Sequence, residues 1–138
     1  MQDAAPHLLA TVPGWAEAWG VPGLESRLCV RFSTRMSRSL GRCHPERKLI
    51  RLASWLREAP YALLTEVLCH EAAHVAVYEL HGRDCRPHGS EWKTLMRAAG
   101  YPARTRIPED LLPPIGRRTA RAGRVRRGSR GARPWPFR

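Results

Sequence analysis

The longest patterned stretch of the chain covers residues 61–80, where Leu63, Leu64, Val67, Leu68, Val75 and Val77 cluster at helical spacing. Pro60 precedes it and suits a helix start, and Gly82 follows it and suits a helix end. The pattern predicts a buried helix in the middle of the chain. Upstream, Trp15 and Trp19 mark a short helix over residues 14–19, and residues 28–33 read as a strand. The basic stretch 34–39 continues or turns that strand, with Arg35, Arg38 and Arg42 facing outward. A second strand is expected at residues 49–53, where Leu49, Arg51 and Ala53 alternate with Ile50 and Leu52. Residues 55–58 form a short turn or helical piece. A loop rich in Gly, Asp and Pro covers residues 82–89, and a further helix is predicted over 90–99. Ser90 is its expected N-cap, with Leu95, Met96 and Ala99 on the packing face. Residues 102–114 read as an extended linker, and no internal repeat is visible. This mixture of helices and short strands is an α+β pattern.

The central helix carries the chemistry. His70-Glu71-Ala72-Ala73-His74 is an H-E-x-x-H motif. Residues four apart share one face of a helix, so both imidazoles can reach one metal ion. Glu71 stands beside them and can take a proton from the water that the ion activates. Chance alone would produce this spacing about 0.02 times in a chain of this composition, so the match gains its weight from its context. That context is a predicted apolar helix with a start and a stop. A zinc site of the hydrolytic kind needs a third protein ligand and a fourth position open to water. His81, Cys85, His88 and Glu91 all follow within reach. His81 lies one residue beyond the spacing of the extended H-E-x-x-H-x-x-G-x-x-H pattern, and Val77 occupies that pattern's glycine position. It reads better as a helix-end histidine that complements the helix dipole. Glu91 would make a His₂Glu set, and Cys85 with His88 is half of a structural zinc fragment.

His88-Gly89-Ser90-Glu91-Trp92, a short loop after H-E-x-x-H, resembles the H-G-x-x-[aromatic] segment of the SprT-like zinc metallopeptidases, which include the Spartan-type proteases acting on DNA–protein crosslinks. Trp15, Trp19 and the run Leu28-Cys29-Val30-Arg31-Phe32 resemble that family's lead-in helix and first strand. Leu40-Gly41-Arg42-Cys43 followed by Leu49-Ile50-Arg51-Leu52 resembles its hairpin. The likeness runs from about Trp15 to Tyr101. It implies that His70, His74 and His88 hold Zn²⁺ and that Glu71 is the general base. It also implies a zincin-like domain over residues 1–110, with a small antiparallel sheet packed on the active-site helix. Nothing in the sequence identifies the oxyanion stabiliser, for which Tyr78 and Arg83 are candidates. The cysteines are Cys29, Cys43, Cys69 and Cys85, with no C-x-x-C pair, so the four-cysteine zinc ribbon of many longer relatives is not expected.

Charge adds a partner. The formal net charge is +12, and nine arginines lie between Arg117 and Arg138, with no acidic residue after Asp110. Residues 111–138 contain too little apolar surface to fold alone and read as a disordered basic tail. Arg117, Arg118, Arg121, Arg124, Arg126, Arg127, Arg130 and Arg133 would grip phosphates without reading sequence, and Trp135 and Phe137 could stack on bases. DNA is the expected partner, preferred to RNA by the family likeness alone. No apolar run spans ~18 residues and no leader pattern opens the chain, so no membrane contact is expected. The unpaired cysteines point to a reducing compartment, hence a cytoplasmic and nucleoid- or chromatin-associated protein. Two functions compete: a zinc endopeptidase acting on DNA-associated proteins, and a non-catalytic nucleic-acid-binding module with a structural zinc.

Overall fold

The computed structural model describes residues 2–3, 6–36 and 39–112. In chain order its regular elements are β1 (Gln2–Asp3), α1 (Pro6–Leu9), α2 (Val12–Trp19), α3 (Leu24–Arg27), β2 (Cys29–Ser33), β3 (Gly41–His44), β4 (Leu49–Ala53), α4 (Tyr61–His81) and α5 (Ser90–Ala98). Short 3₁₀ turns at Pro45–Arg47, Ser54–Glu58 and Glu109–Leu111 complete the architecture. The α+β class is as expected.

α4 is the axis of the fold. Every residue from Leu63 to Val77 is buried, so the helix is covered on all sides. Pro60 stands at its N-terminus and Gly82, with φ 80°, ends it. Burial on this scale encloses polar groups that must be compensated. Glu66 is answered by Arg104, whose Nε and Nη2 each donate to its carboxylate at 2.8 Å. Arg104 belongs to the stretch expected to be a linker. Instead, Ile107 and Leu112 from that stretch are buried in the core. Sequence patterning missed this because two isolated apolar residues in an extended segment show no period.

The sheet has the order β1-β2-β4-β3. β3 and β4 form the expected antiparallel hairpin, with Arg42 opposite Arg51. Its turn runs through Pro45–Arg47 to Lys48, whose φ of 53° closes the reversal. β2 and β4, however, are parallel, with Arg31 opposite Arg51, so the sheet is mixed rather than antiparallel. The link between β2 and β3 skips one strand position, and the hairpin then returns β4 into that slot, running the same way as β2. Val30, Phe32, Ile50 and Leu52 point into the core on one face. Arg31, Arg42 and Arg51 occupy the other.

The remaining helices brace α4. Trp19 of α2 donates its indole N–H to the Leu95 carbonyl of α5 at 2.7 Å. α1 and α3 have no counterpart in the sequence pattern. They are four residues each and are held by Leu8 and Leu24, both essentially inaccessible. α5 begins at Ser90 with Gly89 as N-cap, one residue earlier than expected, and no side chain caps it. A Cβ at Gly89 would lie 3.2 Å from Arg86 Cβ and 3.3 Å from the Arg86 carbonyl, so the glycine lets the loop fold tightly behind His88. Arg38 lies outside the described residues.

Candidate metal centre

α4 supplies two imidazoles because His70 and His74 are one helical turn apart on the same face. The loop after Gly82 reverses the chain and carries His88 back beside them. The three rings surround one point: centroids are 5.3 Å apart for His70 and His74, 5.1 Å for His70 and His88, and 5.0 Å for His74 and His88. One ligating nitrogen from each lies within 4.8 Å of the other two. Nε2 of His70 and Nε2 of His88 are 3.1 Å apart. Two nitrogens bound tetrahedrally to one zinc stand about 3.3 Å apart, so the cluster has the dimensions of a metal site.

Trp92 holds the cluster from behind. It is fully buried, its indole N–H donates to the His70 carbonyl at 3.2 Å, and its ring packs against all three imidazoles. The indole of α5 thereby sets His88 relative to α4. Burial, followed by the charges of His74 and His88, drives the His70 imidazole well below its usual range, which keeps it in the neutral form that can donate a lone pair to a metal.

Glu71 is completely buried on the sheet side of α4. A Cβ built at Gly41 of β3 would lie 2.9 Å from Glu71 Oε2 and 3.1 Å from its Cγ. Gly41 is not among the residues with positive φ, so its backbone does not require glycine. What requires it is space: the carboxylate occupies the volume a side chain would fill.

On the exposed side, His74 and Trp92 border a cleft of ≈ 120 Å³. Its other walls include Glu46 from the hairpin turn, Val77 and Tyr78 of α4, and Arg83, Cys85 and Arg86 of the loop. The cluster is thus closed by core on one side and open on the other.

The structure therefore brings His70, His74 and His88 together, and Glu71 follows His70 in the chain. The alternative ligands do not join them. His81 is exposed at the last position of α4, and neither Cys85 nor Glu91 belongs to the cluster. Cys69 is buried, and burial pushes its thiol far up, which suits a core residue and not a nucleophile. None of the four cysteines is in a disulfide. Tyr78 and Arg83 both reach the cleft wall. Two contributions emerge only from the fold: the packing role of Trp92 and the seat formed by Gly41. A glycine inside a strand pattern is itself a sign of close approach by another group, and Gly41 carries that sign. The arginines from Arg117 to Arg133 lie outside the described residues, and no helix among the described residues is long and apolar enough to cross a membrane.

Residues 15–111 match the family model described as the SprT-like family. Protein SprT of Vibrio parahaemolyticus is 40% identical over 70 residues, which covers 50% of this chain and 41% of that protein. Protein SprT of Pseudomonas aeruginosa is 36% identical over 72 residues, covering 51% and 43% respectively. Protein SprT of Shewanella oneidensis is 36% identical over 71 residues, covering 51% and 44%. The chain thus spans less than half the length of these curated relatives. No solved structure matches it.

Proposed function

Since the chain belongs to the SprT-like family, we propose that it is a zinc-dependent endopeptidase with a zincin-like active site, acting on proteins associated with DNA. The observation that carries this reading is the convergence of His70, His74 and His88 beside the buried Glu71. Three imidazoles with one side open to a cleft fit a catalytic zinc. A structural site would normally be closed by a fourth protein ligand, and among the described residues no fourth joins the cluster. The same observation weighs against the non-catalytic module.

When bound, zinc supplies Lewis acidity toward a carbonyl oxygen and lowers the pKa of water toward neutrality. The chain's own residues do the rest. The substrate lies in the cleft bordered by His74, Tyr78, Arg83 and Arg86. Glu71 accepts the proton of the attacking water and returns it to the departing amine. Its close seat against Gly41 restricts where the carboxylate can stand, which is the kind of positioning that geometry-critical catalysis needs. Tyr78 and Arg83 are hydrogen-bond donors on the cleft wall available to the developing oxyanion. The arginine tail tethers the domain to a phosphate backbone and raises the local concentration of DNA-bound protein.

One assay tests both halves of this reading. Cleavage of a DNA-binding protein should disappear with 1,10-phenanthroline, return with stoichiometric zinc, and run faster when DNA is present. A chelator-resistant rate would defeat the metallopeptidase, and a rate indifferent to DNA would defeat the proposed substrate class.

Gly41→Ala probes the Glu71 seat. The added methyl group must displace the buried Glu71 side chain, so metal content should stay close to the parent's while stability falls by about 1–3 kcal/mol, the usual cost of overpacking. Hydrolysis should fall by up to about 10²-fold, since a displacement near 1 Å costs that much when geometry is critical. An unchanged kcat/KM would show that the seat does not position Glu71. Trp92 offers no such separation, because truncating a buried tryptophan costs about 3–5 kcal/mol and would compromise the fold itself.

A further inference from the structure

The outer face of the sheet carries arginines in register. Arg31 of β2 lies opposite Arg51 of β4, and Arg51 lies opposite Arg42 of β3. Adjacent strands are about 4.8 Å apart, so three guanidinium-bearing positions form a row about 10 Å long across the sheet. Like charges directly opposite one another oppose sheet formation, and mid-strand positions favour β-branched or aromatic residues.

The pairing of basic residues elsewhere sharpens the contrast. Arg27 and Lys48 share Glu79, and Arg104 holds Glu66. Arg31 is engaged by Cys29 Sγ at 3.2 Å and has Asp3 opposite it in register. Arg42 and Arg51 have no carboxylate partner among the described residues, and the buried Nε of Arg51 has no hydrogen-bond partner there. Their field is felt locally: burial first, then Arg51, Arg47 and Arg42 against Glu46, holds the His44 imidazole below its usual range.

We propose that this face, centred on Arg42 and Arg51, is a nucleic-acid backbone contact separate from the C-terminal arginines. The tail cannot be the occupant, because it carries the same sign of charge, and a second copy of the face is excluded for the same reason. A membrane surface is disfavoured because the exposed large apolar residues are Tyr61, Leu80 and Leu111, none of them on these strands. A linear row of planar donors suits a repeating phosphodiester, which guanidinium groups bind in forked fashion.

The test is a salt titration of duplex binding with the full chain, tail included. Arg42→Gln/Arg51→Gln should reduce the slope of log K against log salt by about 1.8, at about 0.9 per lost phosphate contact. Arg97→Gln/Arg106→Gln removes the same net charge from exposed positions off the sheet and should leave the slope unchanged. Arg42→Lys/Arg51→Lys should restore most of it. Cleavage of a short DNA-free peptide by the Gln pair should match the parent's, which separates failure of this contact from failure of the peptidase reading. Equal slopes for the Gln pair and the parent would overturn the proposal. So would equal losses in the two charge-matched pairs.

Discussion

Glu71→Gln is expected to fold, bind a stoichiometric divalent ion and cleave peptide bonds about 10²–10⁴ times more slowly than the parent, the range that a positioned general base contributes. The substitution replaces one carboxylate oxygen with an amide nitrogen of nearly the same size. The Gly41 pocket, shaped closely enough that a Cβ would sit 2.9 Å from Oε2, still accommodates it. His70, His74 and His88 are untouched, so the ion remains. What is lost is the ability to accept a proton. Metal analysis and a cleavage assay on the same preparation decide the matter. A variant that retains its ion and cleaves at the parental rate would assign the base elsewhere, and one that loses its ion would make Glu71 part of the metal site instead.

The second large effect separates two histidines that the sequence sets seven residues apart. His88→Ala should lose the metal and all hydrolysis, whereas His81→Ala should keep both. The geometry behind this is direct: His88 Nε2 lies 3.1 Å from His70 Nε2, while His81 is exposed beyond the cluster at the end of α4. Changing a residue that merely supports a ligand typically costs 10–100-fold in metal affinity, so removing a ligand should cost more than about 100-fold. Competition with a chromophoric chelator measures it. Equal affinities in the two variants would mean that the third ligand is not His88. Trp92 makes the experiment readable, because its indole packs on His70 and His74 as well as on His88 and keeps the remaining pair in place.

Much of the site is legible from local rules. The H-E-x-x-H spacing places two imidazoles on one helical face whatever the surroundings, and Pro60 and Gly82 bound that helix through backbone constraints they carry themselves. β4 is legible for the same reason, since Ile50 and Leu52 alternate with Arg51 on a two-residue period. The third member of the cluster is different. Spacing leaves His81, Cys85, His88 and Glu91 open, and only the resemblance of the segment around His88 points to it. α1 and α3 are invisible in the sequence because four-residue helices have no period, and their stability comes from burying Leu8 and Leu24.

By itself, then, the sequence determined the central helix, the two histidines on one of its faces, the adjacent carboxylate and the strongly basic character of the chain. All of these depend on neighbours within a turn or two of backbone, or on composition. Tertiary structure decided the rest. It inserted β4 between β2 and β3 and so aligned Arg31, Arg51 and Arg42. It set Gly41 against Glu71, 30 residues away in the chain. It also chose His88 over His81, through a loop reversal and an indole packed beneath three rings. Those outcomes depend on which surfaces meet when the core closes, and pairings between distant segments leave no periodic trace along the chain.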